Sequence, residues 1–133
     1  MSEQQYAVIP PKMVNDGPNF ALSPGHIANG FLFISGQLGL NDLGQLPTDP
    51  IEQADWALKN LQLVLHEANC DFSNLVELTT YHVGKCSDAM KWFIPTKHAY
   101  FSEPFPAWTA ISVASLALDD AIIEISAIAK LPT

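Results

Sequence analysis

An α+β fold is predicted for this chain, with elements in the order β-β-α-β-α-β-β, and three observations predict it. One segment joins a helix start signal to a clean apolar stripe, several runs are rich in β-branched and aromatic residues, and turn residues separate them. With 133 residues, 48% hydrophobic and 15% charged, the chain is sized for one core and one domain over residues 1–133.

Residues 10–30 hold Pro10, Pro11, Gly17, Pro18, Pro24, Gly25 and Gly30, which predicts short extended pieces and turns there instead of a helix. Asn29-Gly30 is the sharpest turn signal. Phe31-Leu32-Phe33-Ile34 behind it reads as a strand buried on both faces, ending at Ser35-Gly36. Residues 41–50 read as a polar loop. At Asp49-Pro50-Ile51-Glu52 three signals agree: Asp49 as N-cap, Pro50 at the first helical position, and Glu52 completing a capping box. Ala54, Leu58, Leu61, Leu65 and Ala68 then recur every three or four residues, which predicts a helix to about Asn69. Residues 74–83 read as a second buried strand stopped by Gly84. Ser87 or Asp88 is placed to cap a second helix to Phe101, with Pro95 either kinking it or opening its regular part. Residues 108–114 and 122–129 read as the last strands, joined by a turn around Asp119-Asp120.

Along residues 108–114 the alternation puts Thr109, Ile111 and Val113 on a bulky face and Trp108, Ala110, Ser112 and Ala114 on a mostly small one. Two helices cannot cover both faces of the sheet. The bulky face is therefore expected under the helices and the small face against another subunit, in an obligate homo-oligomer.

Composition excludes several functions. A net charge of −8 repels phosphate backbones and no Lys-rich run makes a local exception, so nucleic acid is not expected as a partner. No window approaches the roughly 20 apolar residues that span a bilayer, and the first residues carry no basic segment leading into an apolar one. A cytoplasmic protein with no membrane partner is expected. Cys70 and Cys86 are read as thiols, most simply as small buried hydrophobes. His26, His66, His82 and His98 lack metal-ligand spacing and no Cys-x-x-Cys is present, so neither metal nor other cofactor is expected. The chain also contains no arginine, since all six basic residues are lysines. The rigid two-donor fork that proteins normally offer a planar carboxylate is absent.

Gly30-Phe31-Leu32-Phe33-Ile34-Ser35-Gly36-Gln37, the helix around Asn60-Leu61 to Leu65, Pro106-Ala107 and Ile123-Glu124-Ile125-Ser126-Ala127-Ile128-Ala129 together resemble the reactive intermediate deaminase family, also called YjgF/YER057c/UK114. Nearly the whole chain is covered. The resemblance implies a fold like that of the trimeric chorismate mutases: one mixed sheet with two helices on one face, three subunits with sheets turned inward, and a ligand cleft at each boundary. In active relatives an arginine after Pro-Ala holds the carboxylate of a 2-imino acid while water releases ammonia. That position is Trp108 here. Two further departures place Leu22 where an aromatic is usual and Ile94 where the helix asparagine is usual. The phrase Pro106-Ala107-Trp108-Thr109-Ala110 is similar to an arginine-less branch, the YjgH-type proteins.

Carried over residue by residue, the resemblance makes Glu124 the candidate catalytic group and Ser35, Gly36, Trp108 and Thr109 the candidate substrate-binding residues. Each has a plainer reading. Glu124 can be an interface carboxylate satisfied by a backbone donor, Ser35 a turn-forming hydroxyl, and Trp108 a plug in the space of the arginine. Read functionally, the indole supplies a stacking face and one N–H donor, suited to an aromatic, uncharged or cationic ligand. Lys91, Lys97 and His98 read as solvated helix positions, and His82 as a hydrogen-bonded core histidine. Two functions stand side by side: a homotrimer that binds a small metabolite without arginine-dependent chemistry, and an enamine or imine deaminase whose substrate carboxylate is absent or held by lysine. The endoribonuclease or translation-inhibitor label attached to some relatives conflicts with the charge of −8 and the missing arginine.

Overall fold

The computed structural model describes residues 5–133. Its elements are β1 (Tyr6–Val8), α1 (Asp16–Phe20), β2 (Gly25–Ala28), β3 (Phe31–Leu38), α2 (Pro50–Glu67), β4 (Leu75–Val83), α3 (Cys86–His98), β5 (Ala107–Val113) and β6 (Ile123–Lys130). The strands form a mixed sheet in the order β1-β2-β3-β6-β4-β5, antiparallel except for the parallel β4–β5 pair. The α+β fold with helices α2 and α3 on one face is as the sequence predicts.

The Asn29-Gly30 turn is a two-residue hairpin between β2 and β3, with φ of 54° and 79°, the left-handed pair that suits Asn-Gly. Asp49 caps α2 by accepting the Glu52 N–H at 3.0 Å, and Pro50 opens the helix. The stripe Ala54, Ala57, Leu58, Leu61, Val64 and Leu65 is buried against Leu32, Ile34, Ile123, Ile125, Ala127 and Ala129 of the central strands. Each fully buried leucine contributes about 2 kcal/mol relative to exposure. Asn60 adds a polar tie from inside α2, donating to the carbonyls of Leu38 and Leu40 at 2.9 Å each.

Three expectations need correction. Residues 10–30 are not free of helix: α1 spans Asp16–Phe20, with Pro18 in the first turn, where its missing N–H is not needed, and Ala21 at φ 55° ending it. Phe31–Ile34 is not buried on both faces, because helices cover only one side and Phe33 on the other is 46% exposed. The faces of β5 are also the reverse of those expected. Trp108, Ala110 and Ser112 lie on the helix side, and Thr109 and Ile111 on the uncovered side. The reason is α3, which needs small residues beneath it to approach the sheet and takes the Ser112 hydroxyl as acceptor for its Cys86 N–H at 3.0 Å.

Candidate functional site

The candidate residues fall into two groups on opposite faces of the sheet. Ser35, Gly36 and Glu124 gather where β3 meets β6, at a register shift between Ile34 and Gln37. The Ser35 hydroxyl is committed to the backbone, donating to the Ser23 carbonyl at 2.6 Å, so it ties down the segment before β2. Gly36 is a glycine for a local reason, since a Cβ there would overlap the Glu124 carboxylate. Glu124 is half-buried on the uncovered side of the sheet, and burial pushes its carboxyl above the usual range. Thr109 shares that side but lies two strands away, opposite Thr79, which pairs in turn with Ser126.

Trp108 turns under α3. Its indole N–H donates to Thr80 Oγ1 at 3.0 Å and its ring lies 6.0 Å from that of Phe93. The outer part of the indole forms one wall of a cleft of about 240 Å³ between α3 and the start of β5. Ile94, Lys97, His98, Phe101 and Phe105 make the others, with Pro106 at one side. Ile94 and Trp108, two of the three positions that depart from the family pattern, thus meet in one cleft. Leu22 does not line it.

Lys97 is the residue that sequence reasoning missed. Its ammonium is not a freely solvated helix charge: it stands 4.4 Å from the centroid of Trp108 and 4.7 Å from that of Phe101, and burial pulls its pKa down. Helical spacing held part of the signal, because Ile94, Lys97 and His98 fall at i, i+3 and i+4 and therefore share a face of α3, with Phe101 just beyond its end. Two features expected of the indole change accordingly. Its N–H is already used by Thr80, and its cation-binding face is already taken by Lys97, which disfavours a cationic ligand. Behind the wall, His82 Nε2 meets Thr80 Oγ1 at 2.8 Å, which bears out a hydrogen-bonded core histidine, although its Nδ1 is buried without a partner among the described residues.

Among the described residues, no three His, Cys, Asp or Glu side chains gather closely enough to hold a metal ion, and no helix is long and apolar enough to cross a membrane. Cys70 and Cys86 are free thiols, the first buried and the second half-buried.

A mixed sheet backed by two helices, with a Ser-Gly register shift in β3 against a late-strand glutamate and a cleft at the start of the edge strand, is the arrangement of the YjgF-type class. The chain belongs to the family described as Endoribonuclease L-PSP, which residues 17–131 match. It is similar to the RutC family protein YjgH of Escherichia coli strain K12, 34% identical over 102 residues and 76% of each chain. It is also similar to the 2-iminobutanoate/2-iminopropanoate deaminase of Mus musculus, 38% identical over 105 residues, 74% of this chain and 72% of that one. A solved structure of protein YJGH superposes with a TM-score of 0.86 at 28% identity, covering 97% of this chain and 98% of the other.

Proposed function

We propose that this protein is a single-domain homotrimer of the cytoplasm that binds a small metabolite at inter-subunit clefts and lacks the arginine-dependent imine deaminase chemistry of its relatives. The observation that carries this reading is the separation of the two residue groups. Glu124 with Gly36 and Ser35 on one face, and Trp108 with Lys97 on the other, can meet one ligand only when they come from different copies. The uncovered side of the sheet, with Phe33, Tyr81, Ile111 and Ile128, supplies apolar surface for that association. Indole at position 108 offers walls and no fork, so the site recognises a small molecule by apolar contact, with Glu124 as its carboxylate. A charge of −8 argues against nucleic acid as a partner.

The similarity to the mouse deaminase favours a second reading, in which Glu124, its pKa raised by burial, directs water onto an enamine or imine. One experiment separates the two. Light scattering should give a trimer, and purified protein should release no ammonia from 2-iminobutanoate beyond the uncatalysed rate. Ammonia release that disappears in Glu124→Gln establishes the second reading, and a monodisperse monomer overturns both.

A further inference from the structure

Behind the cleft wall, three side chains form a short hydrogen-bonded relay whose protons can be counted. The Trp108 indole N–H can only donate, and it donates to Thr80 Oγ1 at 3.0 Å. The same oxygen lies 2.8 Å from His82 Nε2. Thr80 and His82 are 0% and 1% exposed, so their protons need partners inside the protein. With the ring proton on Nε2, two donors would converge on the hydroxyl oxygen, leaving both the Thr80 proton and the Nδ1 lone pair idle. With the ring proton on Nδ1, Thr80 donates to Nε2 while it accepts from Trp108, and a single group goes without. That group is Nδ1, the one buried side-chain nitrogen or oxygen with no partner among the described residues. The second arrangement leaves fewer unmet groups, so the relay runs from Trp108 N–H through Thr80 O–H to His82 Nε2.

In such a relay each bond polarises the next and strengthens it. A second proton on the ring sits on Nε2 and reverses the bond to Thr80. Two donors then face one hydroxyl oxygen, the Thr80 proton loses its acceptor, and the bond to Trp108 loses its reinforcement. The surroundings do not compensate. The ring meets Phe93 of α3 edge-on at 5.3 Å, and its register neighbours are Ser112 of β5 and Ile123 of β6. Two titratable residues of α3 adjoin the network: Cys86, whose backbone N–H donates to the Ser112 hydroxyl, and Lys97, whose ammonium over the Trp108 ring repels a second cation. Glu124, next after Ile123, lies on the uncovered side of the sheet. Burial lowers the pKa of His82, so the change falls below the ordinary histidine value of about 6.5.

We infer that Thr80 and His82 are the positioning residues of Trp108: the neutral His82 ring, protonated on Nδ1, fixes the indole through the Thr80 hydroxyl, and proton uptake by that ring loosens the cleft wall. The wall is therefore firm at neutral pH and loose in acid. The inference rests on the metabolite-site reading for its use alone, since the relay needs no ligand.

Nuclear magnetic resonance on the intact, isotope-labelled protein tests it. At pH 7 the ring nitrogens of His82, identified by their absence from His82→Leu, should show a protonated Nδ1 and a bare Nε2. Protection of the Trp108 indole N–H from solvent exchange, relative to free tryptophan at the same pH, should fall roughly 5- to 10-fold as His82 titrates, the effect of weakening one ordinary hydrogen bond. His82→Leu should remove this pH dependence. Thr80→Val should leave the N–H poorly protected at every pH, and Thr80→Ser should restore both the protection and its pH dependence. A ring proton on Nε2 at pH 7, a protection that stays constant down to the pH of unfolding, or one that falls equally in His82→Leu overturns the inference. Should Thr80→Val fail to fold, the tautomer and the His82→Leu comparison still decide. The metabolite-site reading falls separately, if light scattering on the same samples shows monomers.

Discussion

His82 sits at the back of the cleft wall, 1% exposed, edge-on to Phe93 at 5.3 Å and against the Thr80 hydroxyl that also holds Trp108. Burial lowers its pKa, and among the described residues nothing accepts a hydrogen bond from its Nδ1. The sign of the pH effect follows. Between the depressed folded value and the unfolded value of about 6.5 the native protein binds fewer protons than the unfolded chain, so stability rises with pH across that window. His82 therefore contributes stability that is present above about pH 6.5 and lost as pH falls through the folded value. We expect Tm to fall as pH is lowered from 7 to 5, and His82→Leu to flatten that fall while Thr80 keeps its bond to Trp108. An equal slope in the variant would remove His82 as the cause. This residue was foreseen as a satisfied core histidine from its place in a strand. Its connection to Trp108 was not, because the link runs through Thr80, 28 residues before Trp108, and forms only once the two strands pair in parallel.

The two long helices are specified in different ways. The start of α2 is written locally, in Asp49, Pro50 and Glu52, and its apolar stripe is readable because periodicity needs no partner. The start of α3 is not local. No side chain caps it from Lys85, and Ser87 and Asp88, the expected caps, lie inside the helix. The acceptor for its first N–H is Ser112 of β5, 26 residues away. Pro95 lies within α3 without ending it, and the Thr96 hydroxyl donates to the Trp92 carbonyl at 2.8 Å in the same turn. Ser112→Ala should cost about 1 kcal/mol, the usual effect of losing a cap, seen as a lower urea midpoint at unchanged m. Ser112→Thr should restore it. A midpoint unmoved by Ser112→Ala would show that solvent caps α3 equally well.

At the scale of the molecule, the consequence of two helices for one sheet is an uncovered face. Ile111 at 41% exposure and Phe33 at 46% stand on it among Tyr81, Val113 and Ile128. If that face joins subunits, Ile111→Glu should give monomers by light scattering with far-ultraviolet circular dichroism retained, because the charge would be buried unpaired in the assembly yet solvated in the free protomer. Unchanged size would place the interface elsewhere. The residues foretold that two helices leave one face bare, since that follows from counting elements. Which face of residues 108–114 is bare came out reversed, because side-chain bulk along a strand does not say which neighbour will arrive. The order of strands and helices from β2 onward, the Asn29-Gly30 hairpin, the capped α2 and the arginine-free composition were all readable from the chain, for each depends on residues within a few positions of one another or on a simple count, whereas β1 and α1 were not foreseen. The separation of Glu124 from Trp108 by the thickness of the sheet, and the aromatic seat of Lys97, arose only when α3 packed on β5, because contacts between segments distant in the chain exist nowhere except in the folded arrangement.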